Sequence, residues 1–188
     1  MGAGGRVLGL ADTGGDGVDL DLGLVVDLGL DVLLRRGLLG RQADRLQRWT
    51  RELLRTREAR DLPEVVAREI ATQFLVPQVA IKVWDVAPEF ASEPFAQGAS
   101  EDVMAFASSL MRPYCGANPG LEAAQWLVDP ASAASLALIP LRVGIAPQAF
   151  GLLVLASSDT QRFASDMGTD FLERIGELTS AALSRLRP

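Results

Sequence analysis

From Arg41 onward the apolar positions fall at helical spacing. Leu46, Trp49 and Leu53 recur every three or four residues, with Arg45, Arg48, Arg51 and Arg55 on the other faces. This predicts a helix that stops near 57–60. A second helix follows, with Asp61 as N-cap, Pro63 in its first turn and Glu64 three residues after the cap. Its stripe is Leu62, Val65, Val66, Ile70 and Phe74, and Pro77 blocks continuation. Gln78 to Val86 changes period: Val79, Ile81 and Val83 alternate with Ala80, Lys82 and Trp84, which predicts a strand. A short strand is expected around Phe90 to Phe95. Ser100 then caps a helix whose positive end is favoured by Glu101 and Asp102, with Val103, Phe106, Ala107 and Leu110 inward and Pro113 as the stop.

Tyr114 to Gly120 reads as a Pro/Gly/Asn loop and Leu121 to Val128 as a short helix. Two strong strands, Ser135 to Val143 and Gln148 to Ser157, are joined as a hairpin through Gly144 to Pro147. The last helix is expected to start near Ser165 or Thr169. Met167, Phe171, Ile175, Leu178, Ala182 and Leu186 mark one face, widened by Leu172, Thr179 and Leu183. The order α-α-β-β-α-α-β-β-α implies an α+β sandwich with helix layers.

Residues 1–40 differ in kind. Eleven glycines crowd them, interleaved with Asp, Leu and Val. The pattern from Val18 to Leu34 is nominally that of a strand, but glycine weakens helix and strand interiors alike. These residues are expected to be a poorly ordered arm, 41–60 a connecting and dimerisation helix, and 61–188 the domain proper.

Composition narrows the function. The chain has 188 residues, 48% of them hydrophobic but only 6% aromatic. So much Leu, Val and Ala implies a dense core or apolar surface set against another subunit. A net charge of −6 is a poor footprint for nucleic acid, which is not expected as a partner. No run of about 18 uninterrupted apolar residues exists, so no membrane span is expected. A single cysteine, Cys115, and the lack of a secretory start point to a reducing, cytoplasmic setting. The absence of histidine removes Ser-His-Asp and Cys-His catalysis, histidine metal clusters and a phosphorelay histidine.

Motifs in the first forty residues read as incidental. Asp12-Thr13-Gly14 is the triplet of an aspartic protease, yet the glycine repeat around it offers no strand-forming scaffold. Asp12 to Asp21 brushes against a calcium loop, but Gly14 and Gly23 stand where ligands belong.

The stretch from Ser135 through Ile139-Pro140-Leu141 to Arg142, then Phe150-Gly151-Leu152 with its apolar run to Ser157, then Phe163 ahead of a long Leu/Ala helix, resembles a GAF domain. The resemblance implies an antiparallel sheet with helices on both faces, the N- and C-terminal helices packing together. Arg57 to Pro63, Pro113 to Gly116, Glu122 to Leu127 and Phe163 to Leu186 resemble, in order, a proteobacterial family known as domain of unknown function 484. The likeness covers about residues 42–187. Members of that family carry a charged coiled-coil helix ahead of the domain, where this chain has its Gly/Asp/Leu repeats. The Asn-Lys-Phe-Asp-Glu constellation of cyclic-nucleotide GAF domains is not found.

The resemblance implies a non-enzymatic regulatory or small-molecule-sensing module, with the cavity between the sheet and the middle segments. Trp84, Phe106, Tyr114, Cys115, Trp126 and Arg142 are the candidate pocket residues, since aromatic walls with one Arg suit a planar or acidic ligand. Each has an ordinary core-packing reading beside the functional one. No cofactor is identified. A homodimer is expected through the helices containing Leu46, Trp49 and Leu53, and Phe171, Ile175 and Leu178. The alternatives are an interaction scaffold whose cavity is filled by its own side chains, or a Cys115-based redox sensor or enzyme. The last needs a thiolate favoured by a nearby cation such as Arg112.

Overall fold

The computed structural model describes residues 40–165 and 169–188. The expected arm, its protease-like and calcium-like motifs, and Met167 lie outside the described residues. The chain divides into two compact units, Met1–Arg41 and Gln42–Pro188.

Four strands, β1 (Gln78–Val83), β2 (Tyr114–Ala117), β3 (Ser135–Leu141) and β4 (Gly151–Ser157), form one sheet in the order β1-β4-β3-β2. Every pairing is antiparallel, and the β3–β4 hairpin sits at the centre with Ile139 opposite Leu153. Successive side chains alternate between two cores. Ile81, Val83, Cys115, Ala137, Ile139, Leu153 and Leu155 point to one. Ala80, Trp84, Leu136, Leu138, Leu152 and Val154 point to the other. Burial on both faces explains the unbroken apolar run of β4, which does not alternate with polar residues as a half-solvated strand would.

The first core is covered by helix α1, which is helical over residues 40–55, by α2 (Leu62–Phe74) and by α4 (Asp170–Leu183). Trp49 of α1 meets Phe74 of α2 edge-on at 6.2 Å, and Phe74 meets Phe171 of α4 at 5.2 Å. The second core is covered by α3 (Glu101–Ser109) and by short 3-10 turns. This is the expected α+β architecture, with helices on both faces and the terminal helices together.

Local details depart from expectation for physical reasons. Asp61 precedes α2, but it closes a 3-10 turn with helical backbone angles, so its carboxylate makes no cap bond. Ser100 does cap α3, accepting from the Val103 N–H at 3.2 Å. The expected strand at Phe90 to Phe95 is two 3-10 turns, Pro88–Phe90 and Pro94–Ala96. Each begins at a proline, which fixes φ and removes a ladder donor. The expected loop from Tyr114 starts instead as β2, pairing Tyr114 with Leu138 and Ala117 with Ser135. The expected helix over Leu121 to Val128 is a 3-10 segment, Glu122–Trp126.

Gly176 sets the distance between α4 and the sheet. A Cβ there would lie 2.7 Å from Ile139 Cγ2, and Ile139 is only 1% exposed, so it has nowhere to move. A Gly176→Ala substitution gains about 1 kcal/mol of helix propensity but costs about 1–3 kcal/mol of overpacking. Because buried Ile139 cannot yield, the cost falls in the upper half of that range, so a net loss of about 1–2 kcal/mol is expected, seen as a lower urea midpoint at unchanged slope. An unchanged or higher midpoint would disprove the close contact.

Candidate functional site

The six residues expected around a pocket do not come together as one. Trp84, Phe106, Tyr114 and Trp126 share the second core, where Trp84 is buried and the others are half-buried at its margin. The Trp84 indole N–H donates to the Ala149 carbonyl at 2.7 Å, which fixes the ring as a core member. Cys115 follows Tyr114 on a strand, so it points to the opposite face and packs in the first core. Between the sheet and the middle segments the space is occupied: Ala107, Ala124, Leu136, Leu138, Leu152 and Val154 are all 0% exposed.

Arg142 has a different task. Its Nη2 donates to the carbonyls of Ala107, Ser108 and Leu110 at 3.2, 2.9 and 2.8 Å, and its Nε donates to Pro147 at 3.3 Å. The last carbonyls of a helix lack partners within it, and here one guanidinium supplies three of them for α3. Burial lowers the Arg142 pKa. It also borders a pocket of about 200 Å³ under the β3–β4 turn, walled by Pro113, Glu173 and Gly176.

Burial pushes the Cys115 thiol up. Arg112, the cation considered for it, instead points its Nε to within 3.8 Å of Glu173. The thiolate that a redox reading requires is therefore disfavoured.

The open spaces lie elsewhere. A groove of about 510 Å³ runs along the free edge of β1, between α2 and the Pro94–Ala96 turn, with Lys82, Phe95 and Trp126 in its lining. Of the six expected residues, Trp126 alone lines it. Lys82 donates from Nζ to the Pro94 carbonyl at 2.7 Å, and partial burial lowers its pKa. A second groove, about 450 Å³, lies between α1 and α4, lined by Leu46, Thr50, Leu54 and Leu178. Sequence reasoning missed the first groove by placing a strand at Phe90 to Phe95. Pro88 and Pro94 were the signal that β1 would stay unpaired on that side. Among the described residues no helix is long and apolar enough to cross a membrane, and no group of three or more Cys, Asp and Glu residues could hold a metal ion.

The family described as "Protein of unknown function, DUF484" matches residues 40–187. No curated protein matches the chain. Among solved structures, the GAF domain of a sensor histidine kinase from Pseudomonas syringae pv. tomato shares 16% identity at a TM-score of 0.53, covering 82% of this chain and 92% of that one. The GAF domain from the Acinetobacter phosphoenolpyruvate-protein phosphotransferase shares 16% identity at 0.54, covering 77% and 93%. The GAF domain of the potassium sensor histidine kinase KdpD from Escherichia coli shares 17% identity at 0.50, covering 77% and 94%. The sheet and helix layers are thus those of a GAF-like fold.

Two outcomes follow from this geometry. Arg142→Lys keeps a charge but loses the planar fork, so about 1–3 kcal/mol of stability should go, with faster amide exchange at the end of α3. Cys115 should react with a small disulfide reagent at least about tenfold more slowly in the folded chain than in denaturant at about pH 8. Equal rates would contradict its burial.

Proposed function

We propose that this chain, which belongs to the DUF484 family, is a non-enzymatic regulatory module that works as a pair of identical chains joined through α1 and α4. The observation that carries the pairing is the α1–α4 groove. Leu46, Thr50 and Leu54 repeat at i, i+4 and i+8 on α1, Leu54 is 82% exposed, and Leu178 of α4 lies beside them. An exposed leucine at the end of such a stripe is stabilised once a second copy covers it.

The proposed seam differs from the one expected from the sequence. Trp49, Leu53 and Ile175 are 0%, 5% and 1% exposed and belong to the chain's own core. Phe171 is engaged with Phe74. Of the expected dimer residues, Leu46 and Leu178 remain on the groove, joined by Leu54.

The non-enzymatic reading is supported by a sequence without histidine and by a sole thiol that burial keeps protonated. The regulatory reading is supported by the fold, which sensor histidine kinases also carry. Between a scaffold and a small-molecule sensor, the filled layer around Leu138, Leu152 and Ala124 favours the scaffold.

Light scattering at micromolar concentration should give about twice the 20.1 kDa of one chain. Leu54→Glu should lower that mass toward one chain without changing the circular dichroism. A wild-type monomer would end the pairing proposal. Native mass spectrometry of protein taken from cells should show no retained small molecule, and a stoichiometric adduct would restore the sensor reading.

A further inference from the structure

Among the described residues, strand β1 has a partner, β4, on one side only. The Trp84 N–H donates to the Phe150 carbonyl at 2.8 Å, at the pair that continues the β1–β4 register. That phase assigns the inward groups to Gln78, Ala80 and Lys82, and it turns the N–H and C=O of Val79 and Ile81 outward. Among the described residues no turn or loop backbone pairs with them.

The outward edge is not bare surface. Two grooves, of about 510 and 550 Å³, share Ala67 and Val79 and so form one slot, from Lys82 and Pro94 at one end to Gln78 and Val128 at the other. The β1 stretch it follows is five residues, about 16 Å of extended chain. The α2 wall is built from Pro63, Ala67 and Ala71, small side chains four residues apart. The opposite wall offers Phe95, Trp126 and Val128, the last 97% exposed. Residues of both core layers line the edge.

The rim charges do not balance. Arg60 lies 3.7 Å from Glu93 and Arg68 lies 3.4 Å from Glu69, while Lys82, bonded to the uncharged Pro94 carbonyl, keeps its charge and is the one cation of the lining without an ion pair among the described residues. Asp61, Glu64 and Asp129, which line the slot, make no ion pair among the described residues.

We propose that this slot takes an extended, basic segment of a partner polypeptide, added to β1 as a fifth strand. Its main chain pairs with Val79 and Ile81, its alternate side chains enter the small-walled groove, and its cations meet Asp61, Glu64 and Asp129. A peptide fits better than a compact ligand, because the edge offers donors and acceptors repeated along a line, in an open groove. The proposal goes beyond the α1–α4 pairing, whose residues it does not use.

The test uses the full chain and a short fluorescent peptide of alternating lysine and valine. Anisotropy should show saturable binding, and hydrogen exchange should slow by about tenfold or more at the Val79 and Ile81 amides. The same peptide N-methylated at alternate residues should bind at least about tenfold more weakly, as should an alternating glutamate and valine peptide. Ala71→Arg, which fills the slot from α2, should also abolish binding. The N-methylated control keeps the test valid if that variant does not fold. The proposal is overturned if nothing binds, if N-methylation has no effect, if the acidic peptide binds as well, or if protection appears away from β1. It is equally overturned if Val79 and Ile81 are already protected in the free chain, which would mean that the edge is already held.

Discussion

Strand β4 governs the fold because nothing about it is left to solvent. It is paired on both edges, by β1 and β3, and all seven residues from Gly151 to Ser157 are buried. A backbone in that position must bond within the chain, since an unpaired buried amide costs more than a hydrogen bond returns. The two neighbouring strands are therefore locked in register by β4, and their alternation then sorts every side chain into one of two cores. Gly151 makes the packing possible at the start of the strand, where a Cβ would lie 2.9 Å from the Lys82 carbonyl and 3.0 Å from Leu141 Cδ1. The helices follow from this sorting: each covers one face because each face is largely apolar.

The elements legible in the sequence were those whose pattern is enforced by this sheet. Leu136 to Leu141 and Leu152 to Ala156 could be read as a hairpin because apolar runs of strand length flank a turn with Gly144 and Pro147. α2 and α4 could be read because one stripe of each meets the core. What was not legible was set by distant partners. β2 is a strand because Tyr114 to Ala117 lies against β3, and of its four residues, Tyr-Cys-Gly-Ala, only Tyr114 favours a strand strongly. The error over Phe90 to Phe95 was the reverse. Its aromatic residues suit a strand, but Pro88 and Pro94 each open a 3-10 turn instead.

The candidate pocket residues are spread over different surroundings for a related reason. Residue type identified Trp84, Tyr114, Cys115 and Arg142 as chemically interesting, but type does not reveal what each is bonded to. Period-2 alternation separates Tyr114 from Cys115 by a whole sheet, which could have been foreseen had β2 been recognised. The role of Arg142 could not. Its partners, the carbonyls of Ala107, Ser108 and Leu110, lie more than thirty residues away along the chain. Trp84 is similarly committed by Ala149. Polar atoms already satisfied inside the protein have little left to offer a ligand, whereas the outward groups of Val79 and Ile81 do.

The two open surfaces obey one logic. Where the sheet ends at β1, the covering layers extend past it, because α2 and the segment at Trp126 are placed by the cores beneath them and not by the edge. Small residues on α2 then leave a gap that larger ones would have closed. On α1, Trp49 and Leu53 are drawn inward by Phe74 and by the layer of α4, and that rotation turns Leu54 outward at 82% exposure. A helix of 3.6 residues per turn cannot bury two adjacent leucines on one narrow face, so burying Leu53 exposes Leu54. Both surfaces are thus consequences of how the interior is satisfied. In this chain the open surfaces lie where the core's own demands stop, at the margins of a filled interior.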